Sequence, residues 1–261
     1  MMRELCWNIT TKCNQNCGYC LRFMNIPDQT KDNNLQILNN LSDCGVNKLT
    51  WGGGEPMMYP YIKDMLKTAH DFGIQNHLVS NGVLLNDNRI DEIASYLDTL
   101  TLSLDSVHSA TNNVIGRGSN HFNNVASIIQ HIKYKQYPIK LKINTVACYY
   151  NKDEFGDLLN FVDKNVNFWR IFKMMPIRER AVANYQRFQI TQQCFDEIKA
   201  FLQQNAKNTQ LSFRESTDME QKYFLLVANG DIFCTEHGKD IRKGSALDVR
   251  TLSNELQNQG R

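Results

Sequence analysis

The sequence of 261 residues predicts an α/β protein, a partial (β/α)6 barrel with a C-terminal cap. Two observations favour this fold. Six short β-rich runs alternate with stretches in which apolar residues recur every three or four positions, the spacing of helices that bury one face. Six β-then-α units in series are typical of a parallel sheet whose strands are joined by crossover helices.

The pattern gives approximate bounds for each element. Strands are predicted at 5–10, 48–51, 76–80, 100–104, 139–145 and 169–174. Helices are predicted between them at 35–41, 62–69, 90–97, 125–132 and 155–162. Gly45 and Gly73 follow the first two helices, and glycine just after a helix is a common C-terminal signal.

The alternation changes after Met175. The elements predicted beyond it are a helix at 195–202 and strands at 223–228 and 232–234. Asn229-Gly230 between the two apolar runs is a strong signal for a hairpin with a two-residue turn. We therefore expect a core at 1–175 and a C-terminal extension at 176–261 that packs on the barrel mouth.

Composition and charge narrow the classes of function. Hydrophobic residues make up 42% of the chain and aromatic residues 10%, which is ample for a packed core. The net charge of +2 is spread along the chain, so no nucleic-acid surface is expected. The N-terminal segment lacks the apolar stretch of a secretory signal, and no apolar run is long enough to span a membrane. The sequence thus predicts a cytoplasmic protein with neither a nucleic-acid nor a membrane partner.

Polar, glycine-rich or thiol-bearing residues lie at or after the end of each predicted strand. In parallel barrels, the loops that follow the carboxyl ends of the strands build the active site. We therefore expect these residues to converge on one site. In strand order they are Cys13, Cys17 and Cys20; Gly52 to Glu55; Ser80 and Asn81; Ser103 and Asp105; Lys142 and Asn144; and Arg170 and Lys173.

The strongest motif is Cys13-x-x-x-Cys17-x-x-Cys20, which gathers three of the eight cysteines. Thiolates are the usual protein ligands of iron–sulfur clusters, and a four-iron cluster normally takes four of them. Three thiolates leave one iron with open coordination, where a small molecule can bind through an amine and a carboxylate. The alternative is a structural zinc site, which needs Cys6 or a distant histidine as its fourth ligand.

A glycine-rich segment, Gly52-Gly53-Gly54-Glu55-Pro56, follows the second strand and precedes a helix. Glycines let backbone groups come close to a ligand, although this segment alone is also compatible with an ordinary turn. Together with the cysteine motif and with Tyr19, it closely resembles the radical S-adenosylmethionine (SAM) superfamily. That resemblance implies a [4Fe–4S] cluster bound by Cys13, Cys17 and Cys20, and SAM, whose amino group the glycine loop holds.

Further segments resemble the viperin family of radical SAM enzymes, and its prokaryotic members in particular. They run in family order from about residue 5 to about residue 235, at 47–56, 78–82, 103–106, 115–118, 141–145, 169–173 and 219–226. The resemblance implies that an electron from the reduced cluster splits SAM, and that a 5′-deoxyadenosyl radical removes the 4′ hydrogen of a ribonucleoside triphosphate. Loss of the 3′ hydroxyl as water then gives the 3′-deoxy-3′,4′-didehydro nucleotide.

The resemblance also assigns roles to two sets of residues. Ser103 matches a serine near the ribose of SAM, and Arg117 matches an arginine that meets its carboxylate. The full SAM-binding set is Tyr19, Gly53, Gly54, Glu55, Ser80, Ser103 and Arg117. The substrate-binding set, which holds the triphosphate, is Lys48, Lys142, Asn144, Arg170 and Lys173. A single lysine is more often solvated, but Lys142 lies between apolar Leu141 and Ile143, which weakens that interpretation.

The chain departs from the family at one strand end. Where viperins usually read Arg-Trp-Lys, this chain has Phe168-Trp169-Arg170. Arg170 keeps the positive charge of the lysine, whereas Phe168 removes one phosphate contact, for which Lys173 is a candidate replacement. Arg170 is also a candidate catalytic residue.

Two features of the C-terminal segment are less specific. Tyr223 is a second candidate catalytic residue, since the resemblance implies a tyrosine near the substrate sugar that delivers a hydrogen or a proton. A strand tyrosine at the edge of the core is an equally good interpretation. Cys234 and His237 have the spacing of half a metal site, but two ligands without a second pair are weak evidence, and no function is assigned to them.

The sequence therefore predicts a radical SAM nucleotide dehydratase whose product terminates a viral or phage polymerase. CTP is the first choice of substrate, with UTP and GTP as alternatives, and the partner is a one-electron donor such as flavodoxin or ferredoxin. Two other classes remain open. One is a radical SAM enzyme that modifies a peptide or small metabolite, and the other is a zinc-stabilised binding module without catalysis.

Overall fold

The computed structural model describes residues 3–219, 224–236 and 239–258. Its strands are β1 (Glu4–Thr10), β2 (Lys48–Gly53), β3 (Gln75–Ser80), β4 (Thr99–Ser103), β5 (Lys140–Ala147), β6 (Phe168–Lys173), β7 (Gln210–Arg214), β8 (Phe224–Leu226), β9 (Asp231–Glu236) and β10 (Lys239–Ser245). Its α-helices are α1 (Lys31–Asp43), α2 (Ile62–Asp71), α3 (Asp87–Ile93), α4 (Ser109–Ile115), α5 (His121–Tyr134), α6 (Phe155–Asn165), α7 (Glu179–Phe188), α8 (Gln192–Asn205) and α9 (Val249–Asn258).

The strands of the described residues form one sheet in the order β10-β9-β8-β1-β2-β3-β4-β5-β6-β7. From β1 to β7, every strand is parallel to the next one along the chain. Helices connect the first six strands in turn, so the six predicted β-then-α units are present. This topology confirms the α/β fold and the partial (β/α)6 barrel that the sequence predicts.

One face of the sheet is apolar and packs against the helices. Side chains alternate between the two faces of a strand, so residues two apart share a face. On β5, for example, Leu141 and Ile143 are buried in the main core. We call this the outer face, and its buried strand residues include Leu49, Trp51, Leu100, Leu102, Leu141, Ile143, Trp169 and Ile171.

The other face, here called the inner face, carries polar and charged side chains. Strand register fixes which of them are neighbours, because residues paired in a parallel sheet lie on the same side. The rows are Thr50 with His77, Thr101 with Lys142 and Phe168, and Ser103 with Asn144 and Arg170. A polar inner face beneath the carboxyl edge of a parallel sheet is suited to binding a polar ligand.

Tryptophans anchor the outer face. Trp51 and Trp169 are fully buried, and each indole finds a hydrogen-bond partner. Trp51 Nε1 donates to Asn76 Oδ1 over 2.7 Å, and Trp169 Nε1 donates to Thr145 Oγ1 over 2.8 Å. These bonds remove the cost of burying an indole N–H, and they tie each tryptophan to the neighbouring strand.

The helix boundaries follow from local chemistry. The Thr30 side chain accepts a hydrogen bond from the Asn33 amide, which caps the first turn of α1. Gly45 follows the end of the same helix with φ +76°, a left-handed conformation that glycine adopts without strain. The buried face of α1 includes Leu38 and Leu41, as the spacing predicts.

The C-terminal segment extends the same sheet. β7 adds a seventh parallel strand beside β6, and β8 pairs with β1 at the opposite side. The predicted hairpin is present as β8 and β9, but its loop is longer than two residues. The Val227 amide donates to the Asp231 carbonyl, which encloses three residues, and Gly230 takes φ +82° at the end of the loop. The predicted domain boundary at 175 stays a prediction.

Within 3–219, 224–236 and 239–258, no helix has the length and apolar character needed to cross a membrane. Tyr223 and His237 lie outside the described residues.

Candidate active site

The cysteine loop, residues 11–30, follows β1 at the carboxyl edge of the sheet. Backbone hydrogen bonds hold it from two sides. Gly54 N donates to Thr10 O over 2.7 Å, and Glu55 N donates to Lys12 O over 2.8 Å. On the other side, Gly18 N donates to Ile115 O over 3.1 Å. The loop is therefore clamped between the glycine segment at the end of β2 and the end of α4.

Glycines make this close packing possible. A Cβ atom on Gly53 would overlap the Thr10 carbonyl oxygen, and one on Gly54 would overlap the Lys12 carbonyl oxygen. Gly53 also has φ +127°, a conformation that other residues rarely adopt. The sequence suggested that these glycines let the backbone approach a ligand. The structure gives a further reason for them, which is the approach of the cysteine loop itself.

The three cysteines of the motif fit a cluster site. All are free thiols on one loop, and Cys13 accepts hydrogen bonds at sulfur from Gln15 N and from Asn81 Nδ2. Burial raises the pKa of Cys17 to about 11, and the neighbouring Cys20 and Cys13 add to the rise. These thiols thus lie close enough to affect one another. A bound cation would reverse this effect and favour the thiolate form that metals require.

The zinc alternative finds no ligand set in the described part of the chain. No group of three His, Cys, Asp or Glu side chains there is arranged to hold a single metal ion. Cys6, the fourth ligand considered from sequence, lies within β1 rather than in the cysteine loop, and burial raises its pKa to about 12.

A buried polar network joins the cysteine loop to the end of β4. Arg117 Nε donates to Asp105 Oδ2 over 2.6 Å, and the Tyr19 hydroxyl donates to the same oxygen. The Val146 amide donates to the other carboxylate oxygen over 2.7 Å. Asp105 is fully buried, and its charge raises the pKa of Arg117 well above the usual range against the opposing effect of burial. Two predicted SAM-binding residues, Tyr19 and Arg117, therefore meet at Asp105.

A second carboxylate joins the ends of β2 and β3. Ser80 Oγ donates to Glu55 Oε1 over 2.8 Å, and Asn81 N donates to Glu55 Oε2 over 2.7 Å. Burial raises the pKa of Glu55, while these bonds act in the opposite direction. The predicted pair Glu55 and Ser80 is thus brought together, and it holds the glycine segment against the next strand.

Ser103 ends β4 on the inner face, and its carbonyl oxygen lies 2.7 Å from His121 Nε2. Gln15 links the same region to the cysteine loop, since Gln15 Nε2 donates to the Arg117 carbonyl over 2.7 Å. Sequence reasoning gave no role to Gln15 or His121. The sequence offers only their positions as a signal: Gln15 lies within the cysteine motif, and His121 comes three residues after the segment 115–118.

Three cations lie together on the inner face: Lys48, Lys142 and Arg170. Burial lowers the pKa of Lys142, and the charges of Lys48 and Arg170 lower it further. Lys48 Nζ binds Glu4 Oε2 at 2.9 Å, whereas Lys142 has no carboxylate partner among the described residues. We call these three residues the cationic cluster.

The cationic cluster lies deeper in the barrel than the sequence indicated. Lys142 was expected at or after the end of its strand, whereas it is the third of the eight residues of β5. Lys48 is the first residue of β2, at the amino end of that strand. They share the inner face with Asn144, which pairs in register with both Ser103 and Arg170. Predicted substrate and SAM residues therefore meet in one row of the sheet.

Lys173 is not brought to this cluster. Lys173 comes three positions after Arg170 on β6. Because side chains alternate between the two faces of a strand, the Lys173 side chain lies on the face opposite to that of Arg170. Lys173 Nζ donates to Gln192 Oε1 at the start of α8, over 2.7 Å. Phe168, in contrast, lies on the inner face, and its ring contacts both Lys142 and Arg170.

Comparison with known proteins decides the family. Residues 7–162 match the model of the Radical SAM superfamily. The chain belongs to this superfamily. Its membership confirms the two predicted cofactors, SAM and a [4Fe–4S] cluster, which characterise radical SAM enzymes.

Relatives point to the viperin-like branch of these enzymes. The S-adenosylmethionine-dependent nucleotide dehydratase of Flammeovirga pacifica is 30% identical over 253 residues, covering 91% of this chain and 84% of the relative. The protein of the same name from Psychrobacter lutiphocae is 30% identical over 250 residues, covering 87% of this chain and 80% of the relative. These matches confirm the viperin-like resemblance.

A solved structure supports the fold. Streptococcus suis SuiB bound to precursor peptide SuiA matches with a TM-score of 0.75 and 19% identity, over 98% of this chain. The match covers 64% of the SuiB chain, which is less than two thirds of its length. At this identity the likeness shows the radical SAM fold alone.

Proposed function

We propose that this radical SAM enzyme dehydrates a ribonucleoside triphosphate at its ribose. The observation that carries the proposal is the cationic cluster on the inner face of the barrel. Lys142 and Arg170 both contact the ring of Phe168, and burial together with the charges of Lys48 and Arg170 lowers the pKa of Lys142. Like charges held this closely repel, and a polyphosphate carries enough negative charge to offset that repulsion.

Strand register supports a nucleotide that reaches from the cationic cluster toward the cofactor residues. Arg170 and Asn144 lie in the same row as Ser103, at the end of β4. Tyr19 and Arg117 meet at Asp105, two residues beyond Ser103. Phosphates bound at the cluster would thus place the ribose nearer to the carboxyl edge, where the SAM residues converge.

We assign the cluster ligands to Cys13, Cys17 and Cys20, and SAM binding to the residues clamped around them. When bound, the two cofactors supply a carbon radical that removes a hydrogen atom from the substrate. The chain contributes the rest: it holds the triphosphate, orients the ribose and keeps the cysteine loop in place. Glu55 and Asp105 serve the last purpose through the hydrogen bonds described above.

The proposed reaction breaks two bonds of the ribose, C4′–H and C3′–O. The hydrogen leaves in 5′-deoxyadenosine, the 3′ hydroxyl takes up a proton and leaves as water, and a C3′=C4′ double bond forms. Two electrons are needed, one to split SAM and one to complete the elimination. A donor of the flavodoxin or ferredoxin class supplies both. The product lacks a 3′ hydroxyl, so it would end chain growth by a viral or phage polymerase.

A matched pair of lysine variants tests the proposal. Reconstituted enzyme is incubated anaerobically with SAM, a reductant and each of the four ribonucleoside triphosphates, with CTP tested first and UTP and GTP next. We expect nucleotide-dependent 5′-deoxyadenosine and a product lighter than the substrate by one water. Lys142→Met should weaken nucleotide binding by about 1.5–3 kcal/mol, the scale of a charge-assisted hydrogen bond.

Lys173→Met is the control, because Lys173 leaves the opposite face of β6. It should leave nucleotide affinity close to that of the wild type. Equal losses in the two variants would show that the inner-face cluster does not bind the phosphates. A wild-type enzyme that splits SAM without any response to nucleotides would favour a peptide or small metabolite as substrate instead.

A further inference from the structure

His77 is the buried histidine of the inner face, and the sequence gave no reason to single it out. It lies on β3 and is 8% exposed. Both ring nitrogens contact threonine hydroxyls on the neighbouring strands. Nδ1 lies 3.1 Å from Thr50 Oγ1 on β2, and Nε2 lies 2.6 Å from Thr101 Oγ1 on β4.

The surrounding hydrogen bonds fix the direction of each contact. The Thr50 hydroxyl donates to Glu4 Oε1 over 3.2 Å, since a carboxylate can only accept. Thr50 therefore accepts from the ring, and Nδ1 carries the hydrogen. In the neutral ring Nε2 is then the acceptor, and it receives the hydroxyl hydrogen of Thr101. While the ring is neutral, this hydrogen is thus directed at His77.

The charged groups around His77 come from four strands. They are Glu4 on β1, Lys48 on β2, Lys142 on β5 and Arg170 on β6, while the contacting residue of β4, Thr101, is uncharged. Burial lowers the pKa of His77 to about 3, with further lowering from Lys142, Lys48 and Arg170. The ring is consequently neutral near pH 7 as long as the cations have no bound anion.

We propose that His77 takes up a proton when a polyphosphate binds the cationic cluster, and that the protonated ring frees the Thr101 hydroxyl to donate to a phosphate oxygen. This inference rests on the proposed function, because it assigns a positioning residue to the same phosphate site. Once Nε2 carries a hydrogen it donates to Thr101 Oγ1. The hydroxyl hydrogen then turns toward the ligand.

The direction of the effect follows from charge. A bound polyphosphate replaces the net positive field around His77 by a negative one, and an opposite charge nearby favours the protonated imidazole. Linkage between the two binding events is reciprocal. If bound polyphosphate favours protonation of His77, protonation of His77 must strengthen the binding of polyphosphate to the same extent. The affinity for polyphosphate should therefore rise as pH falls toward about 6, and it should do so because of His77.

Proton counting on the holoenzyme tests the first half of the proposal. Inorganic tripolyphosphate is titrated calorimetrically into wild type, His77→Gln and His108→Gln, each in buffers of different ionisation enthalpy between about pH 6 and pH 8. His108 is an exposed histidine paired with Asp157 on the surface. On binding tripolyphosphate, wild type and His108→Gln should take up the same number of protons. For His77→Gln this number should be lower by nearly one. Proton changes of the tripolyphosphate itself are common to all three and cancel.

A threonine pair tests the second half. Thr101→Val removes the proposed donor and should weaken tripolyphosphate binding by about 2- to 10-fold. Thr99→Val, on the same strand and face, should leave the affinity for tripolyphosphate unchanged.

If His77→Gln fails to fold, the histidine ring resonances of the wild type test the role of His77 instead. The buried ring should become protonated only when tripolyphosphate is present.

The outcomes separate this inference from the proposed function. Tight tripolyphosphate binding with equal proton uptake in wild type and His77→Gln would overturn the role of His77 and leave the phosphate site standing. Unchanged affinity in Thr101→Val would overturn the role of its hydroxyl. A wild-type enzyme that does not bind tripolyphosphate at any pH would overturn both the inference and the proposed phosphate site.

Discussion

The ammonium group of Lys142 lies 5.0 Å from the ring centroid of Phe168, on the inner face of the barrel. The guanidinium of Arg170 lies 5.8 Å from the same ring. An aromatic face attracts cations, and the attraction strengthens where water is excluded. Phe168 thus contacts two members of the cationic cluster and offsets part of their repulsion. The substitution that looks from sequence like a lost phosphate contact has a structural role in this chain.

This relationship predicts opposite effects for two variants of β6. Phe168→Arg adds a cation to the cluster, so nucleotide affinity should rise while thermal stability falls because the repulsion grows. Arg170→Ala should abolish the stimulation of 5′-deoxyadenosine formation by nucleotide. Measuring 5′-deoxyadenosine with and without each nucleotide, together with melting curves, checks both. If Arg170→Ala responds to nucleotide as the wild type does, β6 does not hold the substrate.

The glycine segment at the end of β2 gives a prediction about assembly of the cysteine loop. Gly54→Ala places a methyl group against the Lys12 carbonyl oxygen, so the loop must move and the cluster site with it. Iron content after reconstitution should drop sharply. Gly156→Ala in α6 is the matched control, since the nearest side chain its methyl group meets in the described part of the chain is Phe201, at an ordinary distance of 3.8 Å. That variant should keep its iron and be equally or more stable, because alanine is more favourable than glycine in a helix. Full iron loading of Gly54→Ala would contradict the proposed clamp.

The cysteine assignment is tested by metal analysis. The triple variant Cys13→Ala, Cys17→Ala, Cys20→Ala should lose iron, sulfide and all cleavage of SAM, because thiolates are the strong ligands of that loop. Cys44→Ala, at the end of α1 and away from the loop, is the control and should retain the brown colour of an iron–sulfur protein. A triple variant that still holds a complete cluster would refute the assignment.

The main parts of the fold were accessible from the sequence because they depend on local pattern. Apolar spacing and terminal glycines located helices such as α1, and runs of β-forming residues located the first six strands. The spacing of Cys13, Cys17 and Cys20, together with the glycine segment and Tyr19, indicated the superfamily, since these motifs are local features of the sequence. Elements with weak local patterns were missed, among them β7, β10 and α9. Pairing with β6, for example, is what makes Gln210–Arg214 a strand.

The sequence by itself therefore determined the α/β architecture, the cysteine motif and the candidate cations. Only the tertiary structure decided which of those cations act together. Lys173 and Arg170 are three positions apart, but alternation along β6 sends them to opposite faces, and strand register then joins Arg170 to residues distant along the chain. Assembly of the sheet also brought the His77 ring between the side chains of Thr50 and Thr101, where burial and three neighbouring cations keep it neutral. Charge and desolvation act through distance in space, which a linear pattern does not contain, and so the electrostatics of the site emerged only when the sheet was assembled.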